Sequence, residues 1–350
     1  MLIGLPLAGV ALAGRPITAY LEFPPRTEYV EHAPFSWPAF VVTAALVVLA
    51  LTPFVMRVVR ADDAPAVHRV GVFPWWGWLA VAWLALVWTL AWSRIDWFAA
   101  FQRHTFTMLW LGYIVLVNAL TRWRTGRCML SARPGYFLAL FPASALFWWL
   151  FEYLNRFVQN WHYAGIDPLD TWAYFWQATL PFATVLPAVL STRELLASFA
   201  RLSADLEHAW PMAWARRKPL AWMLLLAAAG ALTGVGVWPN ALFSLLWLAP
   251  LVLLTALQVI AGEASIVDGP VRGDWRAIWQ AALAGLVCGF FWELWNYASL
   301  AHWEYSVPLV HRFEVFYMPL LGYAGYLPFG LECLAVAKLL EAARPMAAAR

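Results

Sequence analysis

Phe147-Trp-Trp-Leu-Phe-Glu152-Tyr-Leu-Asn155, followed by Trp161-His-Tyr163, returns later in the chain as Phe290-Phe-Trp-Glu293-Leu-Trp-Asn296, followed by Trp303-Glu-Tyr305. Glutamate precedes asparagine by three residues in both copies, and tryptophan precedes tyrosine by two. The offset is 141 residues between the glutamates and 142 between the tryptophans. The match continues from Leu186-Pro-Ala-Val-Leu-Ser191 into Leu327-Pro-Phe-Gly-Leu-Glu332. Neighbouring apolar runs superpose under the same shift, so four spans repeat as four spans. An even number of spans leaves both copies pointing the same way, which predicts a parallel internal duplication of a four-helix unit.

The solvent for these spans is lipid. Of 350 residues, 63% are hydrophobic and 12% charged, against about 25% charged in an ordinary soluble domain. A water-soluble fold of this size cannot hide so much apolar surface. A crossing needs about 20 apolar residues. Runs near that length lie at 37–57, 73–92, 105–121, 135–156, 171–192, 220–238, 240–260, 277–298 and 319–340. The expected fold is therefore an all-α, polytopic transmembrane helical bundle of about nine spans. Leu2 to Gly14 is apolar but too short to cross, and reads as an interfacial or re-entrant piece. A start lying further upstream explains it equally well. Between Arg193 and Lys218, the apolar residues Leu195, Phe199, Leu202, Leu206 and Trp210 recur every three or four positions, which predicts an amphipathic helix on a membrane surface.

These readings divide the chain into an extracytoplasmic N-terminal segment (1–36) and a first span with its cytoplasmic loop (37–72). Repeat 1 (73–200), an amphipathic cytoplasmic linker (201–219), repeat 2 (220–340) and a cytoplasmic tail (341–350) follow. With the N-terminus outside, seventeen basic residues fall in cytoplasmic segments, from Arg57, Arg60 and Arg69 through to Lys338, Arg344 and Arg350. Six fall on the other side: Arg15, Arg26, Arg94, Arg103, Arg156 and Arg312. The positive-inside rule then gives N-out and C-in, in a bacterial inner membrane. The net charge of +3, without a basic stripe, excludes a nucleic-acid partner. Membrane lipids, and an apolar small molecule, are the expected partners.

Glu152 with Asn155, and Glu293 with Asn296, share a helix face because three residues is nearly one turn. A carboxyl inside a span is costly and faces the bundle interior, a partner or water. Each pair reads either as a packing hydrogen bond between helices or as working chemistry. Glu332 follows Pro319, Gly322, Gly325, Pro328 and Gly330, a run that breaks a helix where it lines a cavity or lies buried in protein. Ser191 stands at its place in the first copy, so repeat 2 is the better candidate for a site. Glu293 and Glu332 are the candidate acid–base pair and Asn296 the orienting group. Trp292, Trp295, Trp303 and Tyr305 are candidate walls, with Glu152, Asn155 and Trp161 as their counterparts.

Many of the 25 tryptophans sit near span ends, as an aromatic belt requires. The three cysteines and seven histidines show no metal-ligand spacing, so no metal site is assigned and the cofactor stays unknown. The Pro- and aromatic-rich segment Tyr20–Trp37 is expected to fold back over the outer end of a cavity.

That segment, together with Met318-Pro-Leu-Leu-Gly-Tyr-Ala-Gly-Tyr-Leu-Pro-Phe-Gly-Leu-Glu332, resembles an uncharacterised family of bacterial membrane proteins. The order acid, Trp-x-aromatic, then Leu-Pro with a following glutamate resembles, in part, the integral-membrane lycopene cyclase domain. That resemblance places Glu293, Trp303, Tyr305, Pro328 and Glu332 at the matching positions and implies protonation of a polyene. The family's paired acids after the proline are absent here, and the loop from Trp303 to Pro328 is longer. Three functions follow as expectations: an intramembrane enzyme or binder for an apolar, isoprenoid-like lipid; a proton- or ion-coupled transporter with a pseudo-symmetric Glu/Asn site; or a non-catalytic assembly subunit.

Overall fold

The computed structural model describes residues 1–25, 27–61, 71–165 and 169–343. Arg26, Arg69, Arg344 and Arg350, which enter the charge count, lie outside the described residues, as does the tail from 344 onward.

Helix α1 (Gly4–Leu12) is short. Helix α2 (Trp37–Arg60) starts on the Ser36 side chain, which accepts from Ala39 N, and carries Arg57 and Arg60 in its last turn, where the helix dipole favours cations. Helix α3 (Trp75–Trp92) leads through a 3₁₀ segment (Asp96–His104) into α4 (Thr105–Thr125), which stops at left-handed Gly126. A single turn, α5 (Met129–Ala132), precedes α6 (Pro134–Val158). Asp170 caps α7 (Thr171–Phe182) by accepting from Trp172 N and Ala173 N, and Pro181 ends it before α8 (Val185–Ala197). The second half holds α9 (Lys218–Val237), the turn α10 (Pro239–Leu242), α11 (Leu245–Ala261), the turn α12 (Asp268–Val271) and α13 (Arg276–Tyr297). It closes with a 3₁₀ turn (Leu320–Gly325) running into α14 (Tyr326–Ala343).

Among the described residues, eight helical stretches are long and apolar enough to cross a membrane. The predicted span 240–260 is the apolar helix α11, whose 17 residues reach about 26 Å at a rise of 1.5 Å each. The helices α3 and α4 pair as neighbours, and so do α9 and α11. Helices α13 and α14 cross on glycines: a Cβ on Gly285 would collide with Tyr326 O and the Gly330 backbone, and one on Gly330 with Ala281 O. Small residues let backbones approach where lipid offers no hydrophobic drive between helices. The same device seats α1 along α9, where Gly9 faces Thr233 and Gly236. The apolar N-terminal piece thus packs on the bundle as a half-length helix.

The stretch 193–218 departs from expectation. Helix α8 ends at Ala197, and only the 3₁₀ turns Ala200–Ser203 and Ala213–Arg216 follow. Left-handed Asp205 and Pro211 interrupt a helix, and the backbone pairs instead with the loop before α13, through Trp275 N to Leu206 O and Ala209 N to Gly273 O, both 2.8 Å. Leu206 is fully buried there.

Two short ribbons complete the fold. Strand β1 (Trp161–Ala164) pairs antiparallel with β2 (His302–Tyr305), and β3 (Glu314–Val315) with β4 (Met318–Pro319). The first ribbon joins the two Trp-x-Tyr segments: Trp161 faces Tyr305, His162 faces Glu304 and Tyr163 faces Trp303. Equivalent positions of the two copies are thus exchanged by a local two-fold axis between His162 and Glu304. Residues 27–37 run over this end of the bundle, through Leu309 N to Ala33 O, Ser306 Oγ to Val30 O and His32 to Gln159 O.

Candidate functional site

Each strand of the ribbon is held to its helix by the asparagine of the repeated motif. Asn296 Nδ2 donates to Trp303 O (2.7 Å) while its Oδ1 accepts from Trp303 N (2.8 Å). Asn155 Nδ2 donates to Trp161 O (2.8 Å), and its Oδ1 accepts from Asn160 N (2.8 Å) and Trp161 N (3.4 Å). A side-chain amide carries the same donor and acceptor as a peptide group, so it can serve as a one-residue strand partner. Both asparagines are fully buried, and their amides are spent on backbone.

The glutamates receive the aromatic donors that the ribbon presents. Glu152 Oε1 accepts from Tyr163 OH (2.7 Å), Trp148 Nε1 (3.0 Å) and Trp161 Nε1 (3.1 Å). Glu293 Oε1 accepts from Tyr305 OH (2.7 Å) and Tyr326 OH (2.5 Å), and Trp303 Nε1 supports Tyr305 OH at 2.8 Å. Burial, and then the adjoining carboxyl, push the Tyr163 and Tyr305 phenols well above their ordinary values, so both hydroxyls stay donors. The second oxygen of each glutamate has no hydrogen-bond partner among the described residues.

One substitution distinguishes the two copies. The turn before Glu152 carries Trp148; the turn before Glu293 carries Gly289 in the same place. A Cβ on Gly289 would strike the Tyr326 ring. Under the 141-residue offset Tyr326 corresponds to Val185. Tryptophan with valine in one copy becomes glycine with tyrosine in the other, and each arrangement delivers a further donor to its glutamate. Tyr326 and Trp148 were not singled out from sequence, although aligning the two copies at Gly289 exposes the exchange.

Glu332 lies elsewhere. It is six residues beyond Tyr326 on α14, about 9 Å along the axis, and is buried with neither oxygen hydrogen-bonded among the described residues. No hydrogen bond joins it to Glu293. The structure does not bring the expected acid–base pair together.

The aromatic donors form one wall of a cavity of about 820 Å³. Trp148, Trp161, Tyr163, Trp292, Trp303, Tyr305 and Tyr326 all line it. The carboxyls and the two asparagines sit behind them and do not. Trp295 is also absent from the lining. It packs among the aromatics of α3 and α4, 5.1 Å from Trp110 and 5.9 Å from Trp88 between ring centroids, while Trp292 touches Trp110 as well. The opposite wall is α2, with Ala39, Thr43, Leu46, Val47, Ala50, Leu51 and Phe54 forming a helical stripe toward the cavity. From Ala39 to Phe54 that stripe runs about 22 Å at 1.5 Å per residue.

Helix α2 stands off from the rest. None of its residues is buried, and among the described residues its hydrogen bonds to other elements lie at its two ends. At the ribbon end Ser36 N donates to Leu309 O (2.8 Å), and Phe40 packs on Phe313. At the far end Phe54 stacks on Trp279 (5.4 Å, 4° between planes), and Arg57 donates to Asp205 O and His208 O. Between these ends the helix faces the cavity on one side and, by composition, lipid on the other.

At the ribbon itself Glu304 lies between two histidines, 3.6 Å from His162 Nε2 and 3.3 Å from His302 Nε2. Among the described residues no group of three or more His, Cys, Asp or Glu is arranged to hold a metal ion.

These features define a multi-pass helical membrane protein with an internal aromatic cavity. No family model matches the chain, and neither a curated protein nor a solved structure matches it significantly.

Proposed function

We propose that this protein draws an elongated apolar lipid, of isoprenoid type, out of the bilayer and into the cavity between α2 and the aromatic wall. The cavity carries this reading: it runs along α2, its lining is predominantly apolar, and that helix has no buried residue. Ligand pockets of about 300–1,000 Å³ with apolar linings and a few placed polar groups are the ordinary form of a small-molecule site. In this reading Glu152 and Glu293 act through the aromatic side chains. They fix Trp148, Trp161, Tyr163, Tyr305 and Tyr326 by hydrogen bonds, so that ring faces, rather than polar edges, meet the ligand. Any acid chemistry would reach the cavity through Tyr305 and Tyr326, which line it and donate their hydroxyls to Glu293. Glu332 has no part in it.

The local two-fold axis of the ribbon and the matched Asn and Glu environments support duplication of a four-helix unit. The basic residues Arg122, Arg124, Arg201, Arg216, Arg272 and Arg276 gather at the end opposite the ribbon, which supports a ribbon facing outward and N-out, C-in insertion. A transport reading would need Glu152 and Glu293 open to a pathway. Both are fully buried behind their donors, which favours the binding reading.

Gly325 offers a clean test. It lines the cavity, and a Cβ added there meets nothing within 4 Å. Wild-type protein and Gly325→Phe would be purified in mild detergent and their lipids identified by mass spectrometry. A specific apolar lipid enriched in the wild type and lost in the variant supports the proposal. Identical bulk-lipid profiles in both contradict it.

A further inference from the structure

We infer that the lipid held by this cavity carries an anionic head group, and that Arg103 binds it. The inference rests on the binding reading above and names its ligand class.

Arg103 is the sole arginine or lysine in the cavity lining, and no aspartate or glutamate accompanies it there among the described residues. Its backbone is fixed from two sides. The preceding Gln102 donates to Leu90 O (3.0 Å), Ala91 O (2.8 Å) and Ser93 O (3.1 Å), tying the 3₁₀ segment to the end of α3. The carbonyl of Arg103 itself accepts from Gln177 Nε2 of α7 at 2.7 Å. One turn onward, Phe106 packs edge-on against Trp303, with 5.2 Å between centroids, which places Arg103 at the ribbon end of the aromatic wall.

The Arg103 guanidinium makes no hydrogen bond or ion pair among the described residues. Among the described residues, several other charged groups at this end are paired. Glu304 lies against His162 and His302, Glu22 pairs with Arg156, and Arg94 donates to Ala91 O and Ala298 O. Among the described residues, Arg103, an exposed residue, is thus the one arginine or lysine that lines the apolar cavity, and its guanidinium is unpaired. A guanidinium matches a carboxylate or phosphate through two parallel N–H donors, and a single one balances a single negative charge. A carboxylate or phosphate at Arg103 would leave its tail running along the stripe of α2 toward Phe54.

Three probes in a non-ionic detergent separate the possibilities: a polyprenol, the corresponding polyprenyl phosphate and a long-chain fatty acid. For the wild type, at least one anionic probe is expected to bind tenfold or more tighter than the alcohol. Arg103→Gln should bring that probe to the affinity of the alcohol while leaving the alcohol unchanged. Arg103→Lys should retain part of the preference, and added salt should reduce it in the wild type alone. A preference for the phosphate or for the fatty acid identifies the head group; either supports the inference. It is overturned if Arg103→Gln binds the anionic probes as tightly as the wild type, or if the wild type binds the alcohol equally well. Failure of all three probes to bind wild type and variant alike would remove the binding reading itself, a different outcome from loss of the head-group preference.

Discussion

Asn296→Ala should open the ribbon locally while leaving the helical bundle standing. The side chain makes two hydrogen bonds, of 2.7 and 2.8 Å, to the backbone carbonyl and amide of Trp303. Its removal strands one donor and one acceptor. An unsatisfied buried polar group costs about 1–3 kcal/mol. Trp303 is partly exposed, so water reaches it in part, and the lower half of that range applies to each group. The sum is about 2–4 kcal/mol, a change of roughly 30- to 1,000-fold in the local opening constant. Hydrogen exchange followed by mass spectrometry on peptides covering 299–306 would read it. Faster exchange should extend to 160–164, because β1 pairs with β2 and Asn160 O accepts from Ser306 N. Asn296→Asp keeps the acceptor for Trp303 N and should fall between the two. Unchanged exchange in both segments, with ligand binding nevertheless lost, would refute the argument and make Asn296 a ligand contact.

Gly289→Trp alone should clash with Tyr326 and destabilise the protein by at least the 1–3 kcal/mol usual for overpacking. Adding Tyr326→Val rebuilds the Trp148/Val185 arrangement and should recover most of that loss, seen as a non-additive pair of thermal melting shifts. Glu332→Leu removes a buried carboxyl that makes no hydrogen bond among the described residues, so melting should stay level or rise and lipid retention should not change. The Tyr305 phenol is held well above its ordinary value by burial and then by Glu293. A raised folded-state value gives stability that is whole below the unfolded value of about 10 and is lost as pH climbs toward the folded one. Melting temperature should therefore be insensitive to this group through neutral pH and fall above pH 10, and Tyr305→Phe should blunt the alkaline fall.

How much of this was legible in the sequence depended on which physical signal each feature leaves there. Spans announce themselves by length and apolarity; the break that proline and glycine predict before Glu332 is confined to the 3₁₀ turn Leu320–Gly325, and α14 runs on through Pro328 and Gly330. The repeat was visible because Glu-x-x-Asn and Trp-x-Tyr keep register across a helix and a loop. Pairing of the two Trp-x-Tyr segments with each other was not, since four residues carry no partner information. Asn296 reads as an orienting group because a side chain bonded to backbone looks, in sequence, like one aimed at a ligand. Trp292 and Trp295 are three residues apart on α13, so spacing puts both on one side of the helix and does not tell which of them lines the cavity. Helix α2 was hidden because residues facing a cavity and residues facing lipid have the same composition. The surface helix expected over 193–218 failed because its apolar period came from side chains such as Leu206 that bury individually in a linker pinned by backbone bonds.

The most direct measurement is native mass spectrometry of wild-type protein beside Gly325→Phe, released from detergent and compared for retained adducts. The account predicts one defined lipid mass on the wild type that survives activation removing annular lipid, and none on the variant. Identical adduct patterns on the two proteins, or no retained lipid on either, would contradict it.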